Sequence, residues 1–160
     1  QQARSEVMGS VDIIAIARTP ALANVQVFLT RDGILTDRRS FTLEGIEEAD
    51  DQEVVERFLG EYYGGAPVMP PEVVVPKSVK GLDRLSSFLR ELRGSAVRVH
   101  HAERGEKRKL LEMAARNAAL ALEHESLRSE RSRERRWGAL AGLQELLKLK
   151  GPPKIGRAHV

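Results

Sequence analysis

The stretch Val11-Asp12-Ile13-Ile14-Ala15-Ile16-Ala17, followed by Val25-Gln26-Val27-Phe28-Leu29-Thr30 and then Arg31-Asp32-Gly33, decides how this chain is read. The first run is nearly continuous in apolar side chains and rich in β-branched ones. It is too short for a helix and suits a buried strand. Thr19-Pro20 signals a turn before the second run, and Asp32-Gly33 favours a tight hairpin reversal after it. Residues 35–43 return as a third strand, in which Arg38-Arg39-Ser40-Phe41-Thr42-Leu43 alternates polar with apolar, as a strand with one wet face does. The economical arrangement is a three-stranded antiparallel meander.

Near residue 50 the apolar period changes from two to 3.6. Asp50 or Asp51 can cap a helix with Glu53 in its first turn, and Val54, Val55, Phe58, Leu59 and Tyr62 line one face before Gly64-Gly65 stops it. Pro67, Pro70 and Pro71 make an extended approach to Glu72-Val73-Val74-Val75-Pro76, a short buried strand closed by proline. Residues 82–92 are amphipathic again, with Leu82, Leu85, Phe88, Leu89 and Leu92 on one face, and Gly94 ends them. Val97-Arg98-Val99-His100 is a last strand.

The order is three strands, helix, strand, helix, strand, then a long helical region. Strand–helix alternation after a meander implies an α/β mixed sheet whose second half is parallel, because parallel neighbours need a crossover. This is the ribonuclease H-like order. From residue 105 to residue 150 there is no proline, and Ala, Leu, Glu, Lys and Arg predominate. A continuous helix over that span would be roughly 65 Å long at about 1.5 Å per residue, so it must break or protrude. Leu110, Leu111, Ala114, Ala118, Leu120 and Leu122 supply one packable face, and Leu140, Leu143, Leu146 and Leu147 another. Between them residues 128–136 are wholly polar, and Gly138 and Gly142 are the expected break points.

The chain has 160 residues, 41% hydrophobic, 31% charged and only 4% aromatic, so it can bury a core, and that core must be mostly aliphatic. It has no Cys, which excludes a disulfide framework, a Cys-ligated zinc, an Fe–S cluster and a thiol nucleophile, and fits a cytoplasmic setting. No run of about 18 apolar residues is present, so no membrane partner is expected. The start, Gln1-Gln2-Ala3-Arg4, carries neither Met nor a secretory signal and reads as a cut within a longer protein. Net charge is +3 but uneven: residues 1–60 hold 6 basic and 11 acidic side chains, residues 101–150 hold 12 basic and 8 acidic. A basic second half fits either a phosphate-facing surface or a solvated helix of mixed charge.

Candidate catalytic groups are few. A metal nuclease of this strand order needs carboxylates from the first strand, from the end of the fourth and from nearby helices, converging on two ions about 4 Å apart. Asp12 lies at the start of the first strand, where a solvent-facing end residue is also expected, and the fourth ends in Val75-Pro76-Lys77. His100 and His101 are adjacent and would point to opposite faces, so they cannot share an ion, and with Glu103 and His124 they match no standard zinc spacing. No Gly-rich phosphate loop is present, and Tyr62-Tyr63 reads as helix packing. We therefore expect no catalytic residue, no metal ligand and no cofactor in this chain.

The most informative stretch is Arg104-Gly105-Glu106-Lys107-Arg108-Lys109-Leu110-Leu111-Glu112-Met113-Ala114-Ala115-Arg116-Asn117-Ala118. It is a helix start with Arg104, Lys107, Arg108 and Lys109 at one end and an apolar stripe behind. Cations near a helix N-terminus oppose the macrodipole, which favours an anionic partner such as phosphate. Pairing with Glu103, Glu106 and Glu112 on a solvated surface is the other reading.

These segments, with Arg39-Ser40-Phe41, Phe58-Leu59-Gly60-Glu61-Tyr62-Tyr63 and Ala115-Arg116-Asn117-Ala118, resemble the UvrC family of bacterial excinuclease proteins in order and spacing over residues 8 to about 153. The resemblance implies a segment of a DNA-repair endonuclease between its UvrB-binding motif and its C-terminal incision domain. Residues 1–103 would be a ribonuclease H-like, catalytically incomplete domain, and residues 104–150 a basic helical connector. UvrB and damaged double-stranded DNA would be the partners. Mg²⁺ or Mn²⁺ would serve the full-length protein in domains this chain lacks. His101-Ala102-Glu103 departs from the family, which has a proline and a basic residue there. Beyond Pro152-Pro153 the family continues into the incision domain, whereas Ile155-Gly156-Arg157-Ala158-His159-Val160 resembles a translated sequencing adapter and is expected to be an artefact. Two rival readings are a stand-alone metal-dependent nuclease and a protein-interaction module with a basic helix.

Overall fold

The computed structural model describes residues 9–66 and 68–147, with side chains as far as Arg131. The expectations for residues 1–8, Pro67 and 148–160 lie outside that range, as does the apolar face proposed for Leu140, Leu143, Leu146 and Leu147. The meander consists of β1 (Ser10–Arg18), β2 (Leu22–Arg31) and β3 (Ile34–Glu44). Then come α1 (Asp51–Gly64), β4 (Glu72–Val74), α2 (Leu82–Arg93), β5 (Arg98–His100) and α3 (Gly105–Leu147). The sheet order is β3-β2-β1-β4-β5. β1–β2 and β2–β3 pair antiparallel, whereas β1–β4 and β4–β5 pair parallel, the mixed sheet expected from the element order.

Local chemistry explains the boundaries. Thr19 Oγ1 accepts from the Ala21 and Leu22 amides and closes the first turn. Asp32 (φ 53°) and Gly33 (φ 81°) both adopt left-handed backbone, the double requirement of a two-residue hairpin that Asp-Gly meets well. Of the two candidate caps for α1 it is Asp50 that acts. Its carboxylate accepts from the Glu53 amide at 2.9 Å, and Glu53 reaches back to the Asp50 amide. Gly94 (φ 83°) ends α2, its N–H donating to the Arg90 carbonyl.

The central strands are covered on both faces, which is why β1 reads as a nearly continuous apolar run. One face packs Ile14, Val25, Val27, Val73 and Val75 against Val55, Phe58, Leu59, Leu85 and Leu89 of α1 and α2. The other packs Val11, Ile13, Ala15, Phe28 and Val74 against Leu110, Leu111 and Ala114 of α3. Small residues let α3 lie close: Ala114 and Ala118 are fully buried, and Leu122 nearly so, four residues apart each time. On this face Asn24 and Gln26 are also buried, and they bond each other and Ser40.

Three apolar expectations need correction. Leu120 is 65% exposed, off the packing stripe of α3. Phe88 and Leu92 are about two-fifths exposed, at 42% and 40%, so the buried stripe of α2 is Leu85 and Leu89 alone, one turn apart. Phe88 instead lies over Gly60, where a Cβ would come within 3.3 Å of its ring, so the missing side chain there lets α1 and α2 approach. α3 runs without interruption to Leu147, and neither Gly138 nor Gly142 breaks it. By contacts the chain forms two compact units, 1–122 and 123–160, so residues 105–122 belong with the sheet.

Candidate nucleic-acid interface

The parallel pair β1/β4 organises the site. At its amino end the register sets Val11 beside Glu72 and Asp12 beside Val73, so two carboxylates stand at neighbouring positions on opposite faces of the sheet. Asp12 is only 5% exposed, which corrects the solvent-facing reading of the first strand's end. Tyr63 of α1 donates its hydroxyl to Asp12 Oδ2 at 2.5 Å. Burial raises the Asp12 pKa, an effect the Tyr63 bond and the charge of Arg39 only partly offset. Next to it Tyr62 stacks on Phe58 with ring centroids 5.3 Å apart, and its hydroxyl accepts from Arg39 Nη1 at 2.8 Å. The tyrosine pair is thus structural, as its helical spacing implies.

Glu72 faces α3. Its Oε2 accepts from Lys107 Nζ and from His100 Nε2, each at 2.5 Å, with Arg98 Nη1 at 3.7 Å. Burial by itself would raise the Glu72 pKa, but the hydrogen bonds from Lys107 and His100 outweigh it and hold the carboxyl below its ordinary range. His101 turns elsewhere, to the Val79 carbonyl at 2.8 Å, so the two histidines share no ligand. Among the described residues no cluster of His, Asp or Glu could hold a metal ion.

The four cations singled out in the sequence differ in their partners. Lys107 points inward to Glu72 and keeps 40% of its side chain exposed. Arg108 Nε bonds Glu112 at 2.9 Å one turn along, and Lys109 approaches Glu106 at 3.7 Å on the open surface. Arg104 is exposed and makes no ion pair among the described residues. Glu106 and Glu112 therefore pair as the helical spacing suggests. Glu72 escapes a reading of the sequence, because its role emerges only once β4 and β5 are known to lie side by side.

At the carboxyl end of the pair the chemistry is reversed. β1 ends in Ala15-Ile16-Ala17-Arg18 and β4 runs out into Val75-Pro76-Lys77, so neither strand presents a carboxylate. Asp12 is six residues before Arg18, roughly 20 Å away at about 3.3 Å per strand residue. Arg18 donates to the Ala49 carbonyl at 2.6 Å and the Ile46 carbonyl at 3.1 Å, tying the strand end to the loop before α1. These residues do not fit a divalent metal pair, and no hydrolytic step follows from them.

Comparison with known proteins matches this architecture. A family model described as the UvrC ribonuclease H-like domain matches residues 10–125. The UvrABC system protein C of Thermus thermophilus is 40% identical over 153 residues, covering 96% of this chain and 25% of that protein. The protein of the same name from Alkaliphilus metalliredigens is 35% identical over 138 residues, 86% of this chain and 22% of that one. The chain thus spans about a quarter of the length of these relatives. Among solved structures, ribonuclease H2 from Pyrococcus horikoshii superposes with a TM-score of 0.57 at 11% identity over 76% of each chain, a likeness of fold alone. No described helix is long and apolar enough to cross a membrane. With the matched residues running from β1 through every strand of the sheet into α3, the chain belongs to the UvrC ribonuclease H-like domain family.

Proposed function

We propose that this chain is a non-cleaving scaffold within a UvrABC system protein C that acts in nucleotide excision repair. The whole protein would join UvrB at damaged double-stranded DNA and incise on both sides of the lesion, with Mg²⁺ or Mn²⁺ held in domains other than this one. The sheet and the first part of α3 would be the rigid body, and the remainder of α3 the connector towards the incision domain. The observation that carries the reading is the family match over residues 10–125, in a sheet whose β1 and β4 end without carboxylates. A self-contained nuclease would need such a cluster at that end.

Arg104, Lys107, Arg108 and Lys109 remain the proposed DNA-facing residues, now with unequal weights. Arg104 is exposed and without an ion pair among the described residues, Lys109 is exposed with a loose contact to Glu106, Arg108 is half committed to Glu112, and Lys107 chiefly holds α3 to the sheet. In the full-length protein, Arg104→Ala with Lys109→Ala should weaken incision of damaged duplex in a salt-dependent way, with the loss of affinity largest at low salt. Incision unchanged at every salt concentration would remove the DNA role, and binding to an acidic protein surface but not to DNA would make the segment a protein-interaction module. The 160-residue chain alone should show no Mg²⁺- or Mn²⁺-dependent cleavage. Cleavage abolished by Asp12→Asn would overturn the scaffold reading.

A further inference from the structure

In an open sheet where the chain leaves in opposite directions from two neighbouring parallel strands, ligands bind in the crevice beyond the carboxyl ends of those strands. Here that pair is β1 and β4: from β1 the chain builds β2 and β3 on one side, then returns to place β4 and β5 on the other. A cavity of about 200 Å³ opens at this point, bounded by Ala15 and Ile16 of β1, Pro76 and Lys77 after β4, and Arg108 and Leu111 of α3. It is smaller than the roughly 300–1,000 Å³ of a typical small-molecule pocket, so it admits one compact group and not a nucleotide.

Its charge is cationic. Lys77 is exposed and has no ion-pair partner among the described residues. Arg108 spends only its Nε on Glu112, which leaves both Nη groups without a bond to any described residue and able to present a fork to an oxyanion. Glu112 also lines the cavity but is 52% exposed in its side chain, so one carboxylate opposes two cations.

We infer that this crevice binds a single phosphate of the DNA backbone between Lys77 and Arg108, at the place where a metal nuclease of this fold would converge its carboxylates. Resting on the DNA-facing reading above, it extends the contact from the start of α3 to the carboxyl ends of the strands. A two-metal site offers a phosphodiester cations together with an activated water. An ammonium and a guanidinium offer cations without the water, so the crevice holds the backbone and leaves it intact. Its other walls are apolar, Ala15, Ile16, Ala102, Leu111 and Ala115, so the grip on the phosphate falls to Lys77 and Arg108.

The test is a titration of the isotope-labelled 160-residue chain with a duplex oligonucleotide, and separately with inorganic phosphate, followed by backbone amide shifts. The expected result is that the duplex shifts Lys77, Ser78 and Arg108. Lys77→Ala and Arg108→Gln should each weaken binding several-fold, and each should make the log K against log salt slope shallower by about 1. Lys80→Ala, an exposed lysine outside the cavity, should leave both unchanged. Unchanged thermal unfolding of the Lys77 variant would show that folding is not the cause. Duplex binding that is indifferent to Lys77 and Arg108, or equally sensitive to Lys80, overturns this site and leaves the DNA reading standing. No duplex binding by the parent chain overturns both, even if inorganic phosphate binds.

Discussion

The two ends of the β1/β4 pair carry opposite chemistry. The amino end holds two carboxylates, Asp12 and Glu72, each enclosed and answered from within the chain by Tyr63 or by Lys107 and His100. The carboxyl end carries none on its strands and gathers Lys77 and Arg108 around a small open cavity. One end spends its polar groups on holding helices to the sheet, and the other leaves Lys77 and the Nη groups of Arg108 without partners among the described residues. The fold alone assigns no activity, and what each end can do follows from the residues it presents.

Substitutions at the amino end should act on stability, and those at the carboxyl end on binding. The largest effect is expected for Tyr63→Ala, which opens an aromatic-sized cavity and orphans Asp12; urea unfolding should show a loss of about 3–5 kcal/mol. Tyr63→Phe keeps the ring and removes only the donor to a buried carboxyl, and should cost about 1–3 kcal/mol. Glu72→Gln keeps an acceptor but discards the charge that Lys107 and His100 answer. Because Lys107 is partly exposed, the cost should be nearer 1–2 kcal/mol.

The pH dependence separates the two acids. Glu72 has its pKa lowered by folding, so its contribution is complete above the ordinary value of 4.5 and is lost as pH falls through the lower folded value. The gap between the parent and Glu72→Gln should close on acidification. Asp12 has its pKa raised, so the folded state binds its proton more readily, and its contribution is complete below 3.8 and lost as pH rises through the raised value. Asp12→Asn should therefore be more stable than the parent at pH 7, by roughly 1 kcal/mol or less, with the advantage vanishing below pH 3.8. Parallel pH profiles for the two variants would erase the distinction between the acids. Smallest of all, Lys77→Ala should change stability by no more than about 0.5 kcal/mol.

Most of the architecture can be read from the residues. The meander, the Asp-Gly reversal, the cap before α1 and the glycine stop after α2 are set by neighbours in the chain, and short-range chemistry is visible in a linear text. The site is less legible. The cluster at Arg104 is evident as a run of charge, but the partner that draws Lys107 inward is Glu72, thirty-five residues earlier in the chain. Asp12 reads as a strand-end acid because the residue that covers it, Tyr63, comes fifty-one positions later on another element. Phe88 and Leu120 fit an apolar period, yet Phe88 is only partly covered and Leu120 stays largely exposed, since periodicity states which residues share a side and not how wide the contact is.

The register of β1 with β4 also bears on the order in which the molecule can assemble. The hairpin of β2 and β3 closes a loop of two residues, whereas Val11 meets Glu72 only after the whole meander and α1 have intervened. Loop closure becomes more costly with length, by about 0.6 kcal/mol for each doubling, and non-local parallel pairing is correspondingly slow. The meander is thus the early partner and β4 the late one. The crevice between Lys77 and Arg108 needs both that pairing and the docking of α3, so a chain that has not finished folding lacks the proposed phosphate site.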